Sequence, residues 1–262
     1  MHQSSTFLGS ISQRFVSNKL ICAKPNSFAT RLQRKLHIRV AEYLFKKQRK
    51  IPEQPIESIF PIGRECHVTL PAAFGSSKKV GNPSLFEQAI LGAVARYLSP
   101  KTVFEFGTYD GATTLLLALN TPAATVIQTI DLPANDPIRA LDSEDTFYTD
   151  GVQVGEAFLD RPERSRVIQI LENTMLFDCA GLSKKIRFLF VDAGHSYECV
   201  KNDSEKALEM LGESGVIFWH DYSSGHPGVY VYLNELVGKI RLVNIAGTAL
   251  VCYIKGPISR GH

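Results

Sequence analysis

The chain has 262 residues, 44% of them hydrophobic and 10% aromatic, which suffices for one large domain or for one domain with an extension. No apolar run approaches the roughly 18 residues that span a bilayer, so a soluble protein is expected. The five cysteines are scattered and form no CxxC pair, which argues against a disulfide framework and a thiolate metal site. A reducing compartment, the cytoplasm, is the expected location.

The positive charge is concentrated at the N-terminus. Residues 1–50 hold eleven Lys and Arg against Glu42 alone, a net charge of +10, so the remainder carries −7 of the chain's total of +3. This basic N-terminal extension fits a partly helical segment, an organelle transit peptide that would direct the protein to a matrix, or an arm for an anionic membrane surface. Nucleic acid is not an expected partner, because the acidic remainder would repel phosphate.

Residues 51–83 are rich in Pro, Gly and Ser and predict a connecting segment with at most one short strand, at residues 67–70. Order resumes at Ser84. Ser84 and Glu87 have the spacing of a capping box, in which each side chain accepts a hydrogen bond from the other residue's backbone. The apolar residues that follow at helical spacing predict a helix that ends before Pro100.

Beyond Pro100, short apolar runs alternate with helical patterns up to about residue 256. The runs that predict strands are residues 102–106, 125–131, 166–171, 186–192, 215–221, 240–246 and 249–254. Strands that alternate with helices predict an α/β fold with a doubly wound, mostly parallel, seven-stranded sheet. Only Gly247 and Thr248 join the last two runs, which therefore predict a C-terminal antiparallel hairpin at one end of the sheet. The predicted domain covers residues 84–256.

The stretch VFEFGTYDGATTLLLA, residues 103–118, leads from the first of these strands through Gly107 and Gly111 into a helix. Glycines let the backbone turn sharply and approach a ligand, and the amides at the start of a helix point at that ligand. The two glycines also fit a tight turn without a ligand, and the third glycine of a dinucleotide fingerprint is missing.

Polar residues mark the predicted ends of four strands: Glu105, Asp131, Glu172 with Asn173, and Asp192. Ligands of such sheets bind at the carboxyl ends of the strands, and Asp131 follows the glycine loop by about 20 residues, where a carboxylate can accept both ribose hydroxyls. A single strand-end Asp is often only a helix cap or a turn residue. Four strand ends around one loop favour a nucleoside pocket.

The segment from Glu105 to Gly111 resembles the acid-x-G-x-x-x-G motif of the class I, Rossmann-like S-adenosylmethionine-dependent methyltransferases. The resemblance covers about residues 84–255 and implies S-adenosyl-L-methionine as the cofactor. It implies that Glu105 and the loop of Gly107, Thr108, Tyr109 and Gly111 lie near the methionine part, with Asp131 on the ribose and Glu172 or Asn173 at the adenine.

Two later stretches, FVDAGHSYECVKND (residues 190–203) and GVIFWHDYS (residues 215–223), resemble the small-molecule O-methyltransferases with macrocin-type and cephalosporin hydroxylase-like members. In several relatives the positions of Asp192, His220 and Asp221 hold a divalent metal. The resemblance therefore implies an ion such as Mg²⁺ that would polarise a substrate hydroxyl.

The chain departs from these relatives in ways that affect the chemistry. Ala193 and Gly194 replace an acidic run, so His195 becomes the candidate base, with Asp192 as the second catalytic candidate. His220 stands in place of a carboxylate and suits a hard cation less well, so a metal-free, histidine-assisted mechanism competes with a metal-dependent one. Taken singly, these residues also fit a helix cap, a turn residue and an ordinary loop residue.

These observations predict a methyltransferase that acts on a hydroxyl of a small molecule, such as a sugar or a natural product. An NAD(P)-dependent oxidoreductase and a non-catalytic cofactor-binding protein are the alternatives. The insertion at residues 133–164 is long for a connection between strands and predicts a lid, a homo-oligomer contact or a solvated loop. The identity of the acceptor is not predicted, because the segments expected to set specificity carry no readable motif.

Overall fold

The computed structural model describes residues 47–63, 66–71, 81–133 and 152–258, together with Tyr43 and Asp136. The predictions for the basic extension, and those for most of the insertion at residues 133–164, lie outside the described residues. From Lys50 onward the described residues belong to one compact unit. No helix in the described part of the chain is both long enough and apolar enough to cross a membrane.

The described residues form an eight-stranded sheet flanked by helices. The strands are β1 Glu53–Gln54, β2 Thr102–Phe106, β3 Val126–Asp131, β4 Val167–Leu171, β5 Ile186–Val191, β6 Leu211–Trp219, β7 Leu242–Ile245 and β8 Val251–Lys255. The helices are α1 Ile56–Ile59, α2 Leu85–Leu98, α3 Ala112–Leu119, α4 Glu156–Leu159, α5 Tyr197–Met210 and α6 Pro227–Leu236. The strand order is β1-β7-β8-β6-β5-β2-β3-β4.

The sheet is mostly parallel, as predicted. Strand β8 is antiparallel to both of its neighbours, β6 and β7, and the remaining pairs are parallel. All seven predicted strands form, so the Rossmann-like α/β fold with a C-terminal antiparallel hairpin is confirmed. The hairpin folds back into the sheet, because β8 lies between β7 and β6.

The eighth strand, β1, lies within the segment that was predicted to connect the extension to the domain. It pairs with β7 at the sheet edge, with Glu53 opposite Asn244. The predicted strand at residues 67–70 is wrong. The Asn120 side chain accepts from the backbone N–H of Thr69 (2.8 Å) and donates to its carbonyl oxygen (2.7 Å). The side chain therefore satisfies the backbone groups that a neighbouring strand would have paired.

Both faces of the sheet are covered, because successive strand residues point to opposite sides. Phe218 of β6 packs in the main apolar core with residues of α2 and α3. The next residue, Trp219, is fully buried and donates its indole N–H to the Ser204 hydroxyl of α5 at 2.8 Å. The doubly wound arrangement thus has one helix pair on each face.

Helix α2 begins and ends as predicted. Ser84 accepts a hydrogen bond from the Glu87 backbone at 3.3 Å, and the Glu87 carboxylate accepts one from the Ser84 backbone at 2.8 Å. The helix ends at Leu98, and Ser99 has a left-handed backbone with φ of 43°. This capping box fixes the Glu87 side chain at the start of α2, where it also reaches the candidate active site.

Candidate active site

The glycine loop between β2 and α3 is shaped by the protein's own packing. Gly107 and Gly111 have φ values of 97° and 84°, which favour glycine. A Cβ atom on Gly107 would lie 2.1 Å from the carbonyl oxygen of Asp192, and one on Gly111 would lie 2.6 Å from the ring of Phe158. Close packing of the chain itself at these two Cα atoms therefore requires the two glycines.

The loop is tied directly to the end of β3. The Asp131 carboxylate accepts a hydrogen bond from the backbone N–H of Tyr109 at 2.7 Å. The hydroxyls of Thr108 and Thr129 lie 2.7 Å apart in a buried hydrogen bond. The structure thus brings Thr108, Tyr109 and Asp131 together at one edge of the sheet, which is the arrangement expected of the loop and the predicted ribose acid. Their contacts with a cofactor stay a prediction.

Glu105 lies beneath this loop. Its side chain is fully buried, and its carboxyl accepts hydrogen bonds from the hydroxyls of Thr114 and of Thr129, the latter at 2.7 Å. Burial raises the pKa of Glu105 to about 8, although the two hydroxyls act in the opposite direction. These hydrogen bonds hold Glu105 in the buried interior beside the glycine loop. They do not favour the predicted position of Glu105 near the methionine part of the cofactor.

The predicted adenine residues follow β4. The backbone N–H of Glu172 donates to the carbonyl of Asp131 at 2.9 Å, which places Glu172 beside the predicted ribose ligand. The Asn173 side chain accepts from the Met175 backbone at 2.9 Å and so forms a local turn. Asn202 of α5 donates to the carbonyl of Thr174 at 3.0 Å and holds this loop against the helix.

A cluster of histidines surrounds one carboxylate after β6. Asp221 has a left-handed backbone (φ of 59°), a conformation that costs roughly 1–3 kcal/mol at such sites. Its Oδ2 lies 2.9 Å from His195 Nε2, and its Oδ1 lies 3.3 Å from His226 Nδ1 and 3.4 Å from His220 Nδ1. The rings of His195 and His226 stack with their centroids 4.5 Å apart.

His226 was not among the predicted site residues. In the sequence, His226 lies in a Gly- and Pro-bearing loop, residues 223–228, which fits either a wall of the substrate pocket or an exposed loop. The signal that identifies it is spatial. A Cβ atom on Gly228 would lie 2.3 Å from the carbonyl oxygen of His195, so the first turn of α6 packs tightly against the loop after β5. This contact brings His226 over His195.

His220 is buried and enclosed by three carboxylates. Its Nδ1 lies 3.2 Å from Asp192 Oδ1, and its Nε2 lies 3.4 Å from Glu87 Oε2. Although burial opposes it, the neighbouring Asp192, Asp221 and Glu87 hold the pKa of His220 well above its usual value. Burial likewise opposes the effect of His220 on Glu87, whose pKa falls to about 2. With both ring nitrogens facing carboxylates, His220 is an imidazolium. Glu87, for which the sequence indicated only a helix-capping role, faces the second ring nitrogen.

Opposing effects also act on the other members of the cluster. Burial would raise the pKa of Asp221, but hydrogen bonds from His195 and His220 hold it far below its usual range. Burial lowers the pKa of His226, although the nearby Asp221 acts in the opposite direction. The cluster therefore combines an ionised carboxylate, a cationic His220 and a neutral His226 at neutral pH.

The predicted Mg²⁺ set of Asp192, His220 and Asp221 does not fit a hard divalent cation. Its donor atoms lie close together. His220, however, turns Nδ1 to Asp192 and Asp221 and Nε2 to Glu87, and a nitrogen ligand suits a hard, oxygen-preferring cation poorly. His220 itself supplies the positive charge that balances these carboxylates.

The fold and the strand-end loop are typical of α/β domains that bind nucleoside cofactors at the carboxyl edge of a parallel sheet. Residues 104–222 match the family model described as "Methyltransferase domain". Within these residues the chain is therefore similar to methyltransferase domains. No curated protein matches the chain.

Three solved structures similar to the chain are methyltransferases. The O-methyltransferase TomG from Streptomyces achromogenes, solved with S-adenosylmethionine, is 15% identical, with 67% of this chain and 82% of that chain covered and a TM-score of 0.47. An O-methyltransferase from Bacillus cereus, solved with S-adenosylhomocysteine, is 13% identical, with coverage of 67% and 84% and a TM-score of 0.46. A methyltransferase from Geobacter sulfurreducens is 14% identical, with coverage of 83% and 96% and a TM-score of 0.48.

Proposed function

We propose that the chain transfers the methyl group of S-adenosylmethionine to a hydroxyl group of a small molecule, with His195 as the general base. The observation that carries the proposal is the distance of 2.9 Å between His195 Nε2 and Asp221 Oδ2. This pair follows β5 and β6, and Asp192, the first residue after β5, also packs against Gly107 of the glycine loop. The proton acceptor and the proposed cofactor site thus share one edge of the sheet.

The cofactor would supply a methyl group on a sulfonium, which a hydroxyl oxygen displaces in line as the S–C bond breaks. On this proposal the backbone of residues 107–111 borders its methionine part, and Asp131 accepts hydrogen bonds from the ribose. Glu172, beside Asp131, faces the adenine, with Asn173 supporting the turn. The bond between Tyr109 N–H and Asp131 supports this assignment, because it holds the loop and the ribose acid in one fixed arrangement.

The proton of the hydroxyl goes to His195. Because Nε2 faces Asp221 at 2.9 Å, Nδ1 is the nitrogen that takes the proton as the new C–O bond forms. Asp221 orients the ring and stabilises the resulting imidazolium, the role that the aspartate has in hydrolase triads. The products are S-adenosylhomocysteine, a methyl ether and a protonated His195.

Asp192 then has a positioning role, in place of the metal-ligand and catalytic roles expected from the sequence. Its carboxylate faces His220 at 3.2 Å, and His220 in turn faces Asp221. Glu87 completes the support, since its other oxygen accepts a hydrogen bond from the Ala249 backbone at 2.8 Å. The carboxylate that orients His195 is thus fixed by contacts from α2, β5 and the turn before β8.

The acceptor that we propose is a sugar or a natural-product-like molecule with a free hydroxyl. The family match favours methyl transfer over the NAD(P)-dependent alternative. A homo-oligomer and a membrane-surface contact through the basic extension stay predictions, because the segments concerned lie outside the described residues.

The test is turnover with a panel of hydroxyl acceptors. Purified protein is incubated with S-adenosylmethionine and each of a set of sugars and phenols, and both S-adenosylhomocysteine and the methylated acceptor are quantified by mass spectrometry. The wild type is expected to methylate at least one acceptor on oxygen, and His195→Gln is expected to lose turnover. Transfer to nitrogen or carbon only would overturn the proposal, and cofactor binding without any turnover would support a binding protein instead.

A further inference from the structure

His195, Asp221 and His226 form a group that the proposed reaction uses only in part; we call it the His-Asp-His cluster. Each residue offers one donor atom, and the three atoms lie within 4.8 Å of one another. The residues follow β5, follow β6 and precede α6, so three separate chain segments converge on one point. The proposed reaction gives His226 no role, although it shares the carboxylate of Asp221 with the base.

The spacing of the donor atoms suits ligands of a single ion. His195 Nε2 and His226 Nδ1 lie 2.9 Å and 3.3 Å from oxygens of Asp221. Two ligands at Zn–N and Zn–O bond lengths of about 2.1 Å in tetrahedral geometry are about 3.4 Å apart. Closing the cluster around an ion therefore needs only small side-chain movements.

His226 provides a second, independent observation. Its Nδ1 is buried and has no hydrogen-bond partner, although Asp221 Oδ1 lies 3.3 Å away. A buried polar atom without a partner is unfavourable, and a ligand at that atom would remove this cost. The side chains of the cluster are still 17–20% exposed, so an ion can enter from solvent and keep an open coordination position.

The chemistry of the donors selects the class of ion. Two imidazoles combined with one carboxylate suit Zn²⁺ and related transition metals, whereas Mg²⁺ requires oxygen ligands in near-ideal octahedral geometry. We propose that His195, Asp221 and His226 bind a divalent transition-metal ion of the Zn²⁺ type. This site shares Asp221 with the predicted Asp192, His220 and Asp221 set but takes its nitrogen ligands from His195 and His226.

Binding has a direct consequence for the base. Binding requires the other neutral tautomer of His195, in which the proton lies on Nδ1 and the Nε2 lone pair binds the ion in place of its contact with Asp221. Metal occupancy and the Asp221-oriented base therefore exclude each other. The site would make the protein sensitive to inhibition by zinc, a consequence that rests on the proposed function, whereas the binding itself does not.

Calorimetric titration of the full chain without a polyhistidine tag tests the binding. We expect the wild type to bind one equivalent of Zn²⁺ at the cluster and no Mg²⁺ there, and Co²⁺ to give visible absorption bands of a low-symmetry site. Loss of an outer-shell partner weakens metal binding by about 10- to 100-fold. His226→Gln removes a direct ligand and should therefore weaken Zn²⁺ binding by more than this. His67→Gln, which alters an exposed histidine outside the cluster, should bind as the wild type does.

Circular dichroism and S-adenosylhomocysteine binding confirm that each variant is folded. Equal Zn²⁺ affinity in the wild type and His226→Gln would place the ion elsewhere and overturn the proposal, as would the absence of Zn²⁺ binding in the wild type. A second variant, Asp221→Asn, should also weaken binding, because it removes the charged ligand. The result does not depend on finding a methyl acceptor, so failure of this inference is distinguishable from failure of the proposed function.

Discussion

Replacing Glu105 by Gln should remove a pH dependence from the stability of the protein. The carboxyl is fully buried, and its pKa is raised to about 8 from about 4.5, first by burial and then by Asp192 and Asp131. Between these two values the folded chain holds a proton that the unfolded chain releases. The free energy of unfolding therefore decreases with rising pH, by at most about 1.4 kcal/mol per pH unit.

The sign is fixed by the direction of the shift. The stabilising contribution is fully present below about pH 4.5 and is lost as pH rises through about 8, a total of a few kcal/mol. Glu105→Gln has no titrating proton at this position. The unfolding free energy of the variant minus that of the wild type should therefore increase steadily with pH across this window. Any constant offset from altered hydrogen bonds to Thr114 and Thr129 does not affect that slope.

The assay is urea denaturation at several pH values, followed by the fluorescence of Trp219, the single tryptophan of the chain. Other groups titrate in the same window, so the quantity compared is the difference between wild type and variant at each pH. Glu57→Gln, at an exposed position of α1, is the matched control and should run parallel to the wild type. A difference between wild type and Glu105→Gln that is constant with pH would refute the assignment of a raised pKa to Glu105.

Three further predictions concern the histidines. His195→Gln should lower the rate of methyl transfer by about 10²- to 10⁴-fold while leaving S-adenosylhomocysteine affinity in calorimetry unchanged, and an unchanged rate would remove His195 as the base. His220→Gln should lower the unfolding free energy in urea by about 3–5 kcal/mol, because Glu87 and Asp192 lose a buried cationic partner; a loss below 1 kcal/mol would contradict its imidazolium state. Zn²⁺ should inhibit methyl transfer by the wild type but not by His226→Gln. Equal inhibition of both would show that Zn²⁺ does not inhibit by binding at the His-Asp-His cluster.

The fold was largely readable from the sequence because its signals are local. The run TVFEF coincides with β2, and the spacing of Ser84 and Glu87 gave the start of α2. Strand β1 was missed because two polar residues, Glu53 and Gln54, carry no apolar run. They form a strand only because β7, nearly 200 positions later, offers an unpaired edge.

The site was predicted less completely, because its decisive contacts are long-range. Asp131 was placed beside the glycine loop from spacing alone, and the structure shows its bond to Tyr109. The partnership between Glu87 and His220 joins residues 133 positions apart, and a helix-capping pattern gives no sign of it. The position of His226 beside His195 depends on the close packing of Gly228 against the loop after β5, which is a property of the folded backbone.

The most direct test of the central claim is calorimetric titration with S-adenosylhomocysteine and, separately, with NADH. We expect the wild type to bind S-adenosylhomocysteine and not NADH. Asp131→Ala should weaken this binding by about 10- to 100-fold, the equivalent of about 1.5–3 kcal/mol for hydrogen bonds to a charged group. Asp131→Asn, which can still accept from Tyr109 N–H, separates loss of the ribose contact from a change in the loop. The exposed Asp160→Ala is the matched control and should bind normally. Binding of NADH instead, or no S-adenosylhomocysteine binding by the wild type, would contradict the assignment of this sheet edge as the cofactor site.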